Sequence, residues 1–355
     1  MNPIDAADQN FAAYDASIMG VDPGGDDLQE PLDQADIQLQ QQETSPSNQL
    51  ALRRKHNATL AVHTLPTEVF LQVIHLYILL HLEDLGAGYY LQIINLSRVC
   101  SRWYNVIRNS PPLWTRVRAA DSLKLVETTL QRSSSHPLDI ILHPTTYVDE
   151  IPASLQLFLG AVDTHRDRWR SLDILAPYTW MEGGILAALG EPAPSLEKLS
   201  VIDGDTMYCT RKVDLFGGNA PRLTSLTLNG VSIRWDSKVL HKLTLLDLSW
   251  IHFSSTDAIL HALSHSTQLQ ILEVERCTTG SMATSSSPSV QLRQLVRLDV
   301  DLRNQAATEN LLDHIECDAE DAPLYLRSRR KQRGGTPVAN YINVDIKEGG
   351  PYLLR

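Results

Sequence analysis

The chain has 355 residues, 43% of them hydrophobic and 21% charged, with a formal net charge of −11. That length suffices for two domains or for one elongated repeat domain, and the composition is that of an ordinary soluble globular protein. The charge is unevenly placed: ten of the 42 acidic residues and none of the 31 basic ones lie in residues 1–50. The remainder, 32 acids against 31 bases, is nearly neutral and offers no basic stripe for nucleic acid.

Cys100, Cys209, Cys277 and Cys317 lie far apart and form no CxxC pair. This argues against a disulfide framework and against a zinc site, and it fits a reducing compartment. No basic region followed by an apolar run opens the chain, so no signal peptide is expected. The most apolar stretch, Val69 to Leu82, carries Gln72, His75 and His81 and is shorter than the roughly 20 residues a membrane span needs. The expected setting is intracellular, in cytoplasm, nucleus or both, without membrane attachment.

Residues 1–50 contain "QLQQQETSPS" and little that could enter a core. A disordered acidic leader is predicted, because such a segment cannot offset its ordering entropy by burial. Order is predicted to begin near Leu50, where "NQLALRRKHNA" reads as a short lead-in helix with Leu50, Leu52 and Ala58 beside a basic face. "HTLPTEVFLQVIHLYILLHL" follows. Pro66 suits a helix's first turn, since its missing N–H would be unpaired there, and Glu68 complements the helix dipole. Val69, Val73, Ile74, Tyr77 and Leu80 recur at three- and four-residue steps and predict the apolar face. Gly86 and Gly88 supply the stop. A second helix is predicted with Leu91, Ile94 and Leu96 apolar, and a third with Val99, Trp103, Val106 and Ile107 at helical steps. Pro111 and Pro112 end the third. Three helices in so short a stretch make a small core, for which Trp103 and Trp114 supply bulk.

The order of these parts, Leu65-Pro66-x-Glu68, then Val99-Cys100-x-x-Trp103, then Leu113-Trp114, resembles the F-box, the adaptor-binding motif of SCF-type ubiquitin ligases. The lead-in "R-x-x-N-A", Arg54 to Ala58, is similar to that of the expanded F-box family of mushroom-forming (basidiomycete) fungi, although the segment before Val99 is longer than the compact consensus. The resemblance covers roughly residues 50–118. It implies that Leu65, Pro66, Val69, Val99, Cys100, Trp103, Leu113 and Trp114 contact a Skp-type adaptor, with Leu65, Pro66, Val69, Val99, Leu113 and Trp114 on a partly exposed apolar surface.

Six later segments share L-x-x-L-x-(L/I/V): "WRSLDI" from Trp169, "LEKLSV" from Leu196, "LTSLTL" from Leu223, "LTLLDL" from Leu243, "LQILEV" from Leu269 and "LVRLDV" from Leu295. Their starts are 27, 27, 20, 26 and 26 residues apart, within the leucine-rich-repeat range. Each predicts a strand-plus-helix unit unable to bury its apolar face alone. "PLDIIL" at Pro137 reads as an irregular first strand, and Cys277 alone matches the Asn or Cys usual after the strand. "LFGGNAPRLTSLTLNGVSIRWDS" from Leu215 again resembles the fungal family. After Val300 the pattern lapses. "GSMATSSSPS" at Gly280 reads as a flexible connection open to phosphorylation, and "RSRRKQR" at Arg327 as a solvated loop or an import signal.

Catalytic readings are thin. His261 and His265 share a helix face but lack a third ligand, so a solvated helix is expected. "GGILAALG" at Gly183 lacks the Lys-Ser/Thr end of a phosphate loop. No G-x-S-x-G elbow exists, and Cys100, placed on the apolar face of the third helix, reads as packing. No cofactor and no metal are expected.

The predicted fold class is therefore α/β. A disordered leader (1–45) precedes a small helical F-box with its lead-in helix (50–118), an irregular leucine-rich-repeat (RNI-like) solenoid (130–303) and an irregular C-terminal segment (304–355). By resemblance the chain is a non-catalytic substrate receptor of a cullin-based ubiquitin ligase, joined to the cullin scaffold through the adaptor and acting in protein degradation. The alternative is an adaptor-bound interaction scaffold without degradation. In the repeat strands the leucines point inward and alternate residues line a concave face. The middle exposed position reads Asp173, Ser200, Thr227, Asp247, Glu273 and Asp299, with Glu275 and Asp301 one step further. Asp247, Glu273, Glu275, Asp299 and Asp301 are the predicted surface for a basic target.

Overall fold

The computed structural model describes residues 46–81, 89–143, 151–180, 185, 189–203, 212–284, 287–317, 324–327 and 342–344. The leader, Cys209, Gly86 and Gly88, the "GGILAALG" stretch up to Ala188 apart from Ile185, and "SRRKQR" after Arg327 lie outside them. The chain divides between Val73 and Ile74 into two compact units.

The first unit contains helix α1 (Pro46–Thr59), the short helix α2 (Ala61–Thr64) and the start of α3 (Thr67–His81). The predicted lead-in helix is thus present, with Leu50 and Leu52 exposed. Leu65 is extended (φ −64°, ψ 139°), the conformation imposed on a residue before proline. Pro66 stands just ahead of α3 rather than in its first turn, and its carbonyl accepts the Phe70 N–H at 3.0 Å. Along α3 the buried residues are Phe70, Ile74 and Ile78, one helical stripe at steps of four. Val69, Val73, Tyr77 and Leu80, predicted to be the buried face with Ile74, are exposed. The helix carries two apolar stripes, and burial selects the one with Phe70, Ile74 and Ile78.

In the second unit α4 spans Tyr89–Ser97 and α5 Ser101–Arg108. The buried face of α4 is Tyr89, Tyr90, Gln92 and Ile93, whereas Leu91 is exposed. Helix α5 starts later than predicted. Cys100 sits at its N-cap with extended backbone (φ −164°, ψ 170°), so Val99 lies outside the helix. The chain leaves α5 at Arg108, and Pro111 and Pro112 open a 3-10 turn, Pro111–Trp114. Strand β1 (Arg116–Arg118) and helix α6 (Leu123–Arg132) follow.

Among the described residues, strand β1 is the first of eleven in one sheet. Next come β2 (Leu138–Leu142), helix α7 (Ala153–Asp163), β3 (Trp169–Ala176), β4 (Lys198–Asp203), β5 (Ser225–Asn229) and β6 (Leu245–Ser249). Then follow β7 (His252–Ser255), helix α8 (Thr256–Ser264), β8 (Ile271–Ser281), β9 (Val290–Gln291) and β10 (Arg297–Leu302). Beyond these lie helix α9 (Gln305–Leu312), β11 (Ile315–Glu316), β12 (Leu324–Arg327) and β13 (Ile342–Val344). The strand order is β1-β2-β3-β4-β5-β6-β8-β10-β12-β13, with β7 beside β8, and β9 and β11 make a separate pair. All of these pairs are parallel except β12 with β13.

All six L-x-x-L segments are strands of this sheet (β3, β4, β5, β6, β8, β10), and "PLDIIL" is β2. The pattern's inward positions are buried throughout, from Leu172 and Ile174 through Leu246 and Leu248 to Leu298 and Val300. Backbone bonds repeat with it. The N–H groups of Glu197, Thr224, Thr244, Gln270 and Val296 each donate, at 2.8–2.9 Å, to the carbonyl of the equivalent residue one repeat earlier. The short 20-residue step has a simple cause: between β5 and β6 the return is a three-residue 3-10 turn, Lys238–Leu240, where the next repeat holds β7 and the nine-residue α8.

The chain turns at residues with left-handed backbone after β5 and β6, at Gly230 (φ 72°) and Trp250 (φ 56°), and within β8, at Arg276 (φ 55°). Glycine adopts this freely, whereas Trp and Arg each bear a strain of about 1–2 kcal/mol. The Gly230 and Trp250 N–H groups donate to Ser249 and Glu275 carbonyls at 2.9 and 3.1 Å, which continues the ladder through the corner. The sequence pattern lapses after Val300, but the alternation of elements does not: α9 follows β10, and β12 pairs parallel with β10.

Past its corner β8 runs beside β7, and Gly280 lies close against the β7 backbone. A Cβ on Gly280 would stand 2.8 Å from the Ser254 carbonyl oxygen. Gly280→Ala is expected to lower unfolding free energy by about 1–3 kcal/mol in chemical denaturation. An unchanged midpoint would mean that β7 and β8 part without cost.

Candidate functional site

The candidate residues fall in both units: a helical group in the first, and a helical group and the sheet in the second. In the first unit Leu65 is half-buried, Pro66 is exposed and Val69 is 41% exposed. Helical spacing puts Val73, Leu76 and Leu80 on the same stripe as Val69, and all four are exposed. In the second unit Val99 is 57% exposed, Cys100 and Trp103 are half-buried, and Tyr104 is exposed.

Leu113 and Trp114 depart from the expected partly exposed surface, because both are core residues. Trp114 is 3% exposed. Its ring stacks on Tyr90 at 5.6 Å, its indole N–H donates to the Ile107 carbonyl at 2.9 Å, and the Arg132 guanidinium lies 4.6 Å from the ring centre. Tyr90 also donates its hydroxyl to the Arg116 carbonyl on β1, while Arg116 lies over Tyr89 at 5.9 Å. Burial pushes the Tyr89 phenol up to about 12. The 3-10 turn that the prolines impose thus inserts Trp114 between α4, α5 and α6. Sequence reasoning missed Tyr89 and Tyr90, whose signal was an adjacent aromatic pair in a chain with 6% aromatic residues.

On the sheet, register brings the predicted residues together. Asp173, Ser200, Thr227, Asp247, Glu273 and Asp299 pair in one continuous row across β3, β4, β5, β6, β8 and β10. Asn229, Ser249, Glu275 and Asp301 form the row two residues further on. The five carboxylates Asp247, Glu273, Glu275, Asp299 and Asp301 are half-buried on the face opposite the leucines. At a strand separation of roughly 4.8 Å, like charges in a row repel by about 1 kcal/mol per pair even in water. Burial, then the charges of Glu273 and Glu275, push the Asp247 carboxyl up to about 6, with a Ser249 hydrogen bond and Arg297 opposing.

Cations border the rows. Arg297 pairs with Glu273 at 3.0 Å and Arg276 with Glu275 at 3.4 Å. The Arg276 and Arg303 guanidiniums lie 5.0 and 4.8 Å from the Trp250 ring. Strand alternation could have flagged Arg297, which shares a face with Asp299; Trp250 and Arg276 required knowledge of the corner. At the other end, Arg170 and Ser171 bind Asp139, and His143 pairs with Asp173 at 3.0 Å.

His261 and His265 do meet, ring centres 4.9 Å apart, and His241 stacks on His265 at 5.1 Å. Burial, then the neighbouring His261 and His241, hold the His265 imidazole below its ordinary pKa. Among the described residues no group of three or more His, Cys, Asp or Glu could hold a metal ion, and no helix is long and apolar enough to cross a membrane. Cys277 is buried, and burial pushes its thiol up to about 12, so it is not a nucleophile near neutral pH. Cys100, expected on the apolar face of α5, caps that helix instead.

Residues 62–119 match the family model described as F-box-like. The matched segment runs from α2 through β1. No curated protein matches the chain.

The raised Asp247 carboxyl makes stability pH-dependent with a definite sign. The folded state binds this proton more tightly than the unfolded chain, so the penalty is absent near pH 4 and full above pH 6. With partial exposure discounted, Asp247→Asn is expected to raise unfolding free energy by about 1–2 kcal/mol at pH 7 and by little at pH 4. Denaturant titrations at the two pH values check this; equal effects at both would refute the stated electrostatic cause.

Proposed function

We propose that this chain is a substrate receptor of an SCF-type, cullin-based ubiquitin ligase. The observation that carries the reading is the F-box-like match at residues 62–119, since domains of this kind typically bind Skp-type adaptors. Leu65, Pro66 and Val69 in the first unit and Val99, Cys100 and Trp103 in the second are the adaptor contacts. The exposure of Val69 and Val99 supports them, because apolar side chains left open to water commonly mark an interface. Leu113 and Trp114 then act from the core, by holding α4, α5 and β1 together.

The parallel sheet, with one strand to each L-x-x-L segment, is read as a leucine-rich-repeat arc whose polar face holds the target. Asp247, Glu273, Glu275, Asp299 and Asp301 would accept Lys or Arg side chains of a basic segment. Binding would relieve the mutual repulsion of the carboxylates, and their field would steer the segment in. The chain would make and break no bond itself. Its contribution would be proximity, holding a target near the ubiquitin-charged conjugating enzyme.

Purified chain, Skp-type adaptor and cullin, assayed for ubiquitin transfer to a captured basic target, test the whole reading. Leu65→Ala with Pro66→Ala should remove most adaptor binding while the thermal melt is retained; unchanged binding would reject this surface. Reversing Asp247, Glu273 and Asp299 to Lys should abolish target capture and leave adaptor binding intact. Capture that persists, or that is indifferent to salt, would reject the acidic rows as the target site.

A further inference from the structure

The Ser/Thr-rich connection between β8 and β9 was expected to be a flexible linker, yet the structure pins it at two places. The first is Ala283. Asn310 on α9 takes the Ala283 N–H on Oδ1 at 2.9 Å and donates from Nδ2 to the Ala283 carbonyl at 3.0 Å. Thr256, buried at the start of α8, donates to the same Asn310 Oδ1 at 2.7 Å and also accepts the Ala283 N–H. His314 stands against the neighbouring Thr284 carbonyl, Nε2 to oxygen 3.2 Å.

The second place is Ser287. Its Oγ donates to Asp257 Oδ1 at 2.5 Å and accepts the Thr284 N–H at 3.1 Å. Its own N–H donates to the Thr284 carbonyl at 2.9 Å. Ser287 is half-buried, the flanking Thr284, Pro288 and Ser289 are exposed, and Pro288 follows it directly. A serine with proline next to it, on an exposed connection, is what a proline-directed kinase takes.

We infer that Ser287 is a phosphorylation site for a proline-directed protein kinase, and that phosphate there releases the Ala283 clamp. In the transfer Oγ attacks the γ-phosphorus of ATP, the β–γ bridging P–O bond breaks, ADP departs and the hydroxyl proton is lost. The product loses the hydrogen that Ser287 gave to Asp257 and sets a phosphate of about −1.5 to −2 charge against that carboxylate. The N-terminus of α8 lies alongside, but its partial charge is only about +0.5, and Asp257 in the first turn already faces it. Repulsion therefore wins. The connection is the covalent link between β8 and β10, which carry Glu273, Glu275, Asp299 and Asp301. Its release bears on the proposed target face and stands independently of adaptor binding.

The test uses the full-length chain, ATP and a proline-directed kinase, with the phosphosite mapped by mass spectrometry and backbone exchange followed by hydrogen–deuterium exchange. One phosphate is expected on Ser287, absent from Ser287→Ala, with exchange at the Ala283 amide about tenfold faster once it is present. In Asp257→Asn the same phosphate should accelerate exchange much less, each background being compared with its own unphosphorylated form. A kinase that leaves Ser287 unmodified, a phosphorylated chain with unchanged exchange, or equal acceleration in Asp257→Asn would each overturn the inference.

Discussion

One constraint governs the sheet: from β1 to β12 its paired strands run parallel, so each repeat must carry the chain back to the same end before the next strand begins. The return can be short, as in Lys238–Leu240, or long, as in α8, but the strand must enter in register. The backbone bonds from Glu197, Thr224, Thr244, Gln270 and Val296 set that register before each strand starts. Once it is set, every side-chain position becomes a row. Leucine rows close the core, since no single unit could bury them alone. The same arithmetic makes rows on the polar face, so five carboxylates spread over 55 residues of sequence become neighbours.

That constraint reaches into the helical segment. The F-box-like match ends at residue 119, yet β1, Arg116–Arg118, is already the first strand of the sheet. Tyr90, Trp114 and Arg116 join α4 to that strand through one stacked pair of rings and one hydroxyl. The compact unit that holds the sheet begins at Ile74, well inside the matched segment. Sequence family and physical unit therefore have different borders here. Val99 and Trp103 lie in the same compact unit as the sheet.

How far this was legible in the sequence depended on whether a signal repeats. The six L-x-x-L segments gave strands, faces and the order of the acidic row correctly, because a period-2 pattern with one buried face leaves a single register. Single helices were read less well. On α3, Val69-Val73-Leu76-Leu80 and Phe70-Ile74-Ile78 both have helical spacing, so periodicity alone could not say which meets the core. Helix boundaries were read too generously: Val99 and Cys100 continue the apolar spacing of α5 but precede its first turn. Trp114 looked like a surface residue because a motif supplies order, not burial. The continuation after Val300 was hidden by an absent leucine pattern, although α9 and β12 keep the alternation of elements. The corner residues Trp250 and Arg276 had no signal at all, since neither residue type favours a left-handed backbone.

Those corner residues also show how the acidic rows are tolerated. Carboxylates stacked at strand spacing repel one another across β6, β8 and β10, and two cations pair with them. Arg297 answers Glu273 from the preceding position on β10, and Arg276 answers Glu275 from the corner. Arg276 stands there on a left-handed backbone, and its guanidinium lies 5.0 Å from the ring of Trp250, itself left-handed. A cation–π contact of about 0.5–2 kcal/mol is comparable with the strain of one such residue. The corner is thus near balance, and it puts positive charge beside the rows without filling them. Asp247 receives the Ser249 hydroxyl, and burial first, then the charges of Glu273 and Glu275, raises its carboxyl against the opposing Arg297. The half-buried carboxylates keep their like charges side by side on this face.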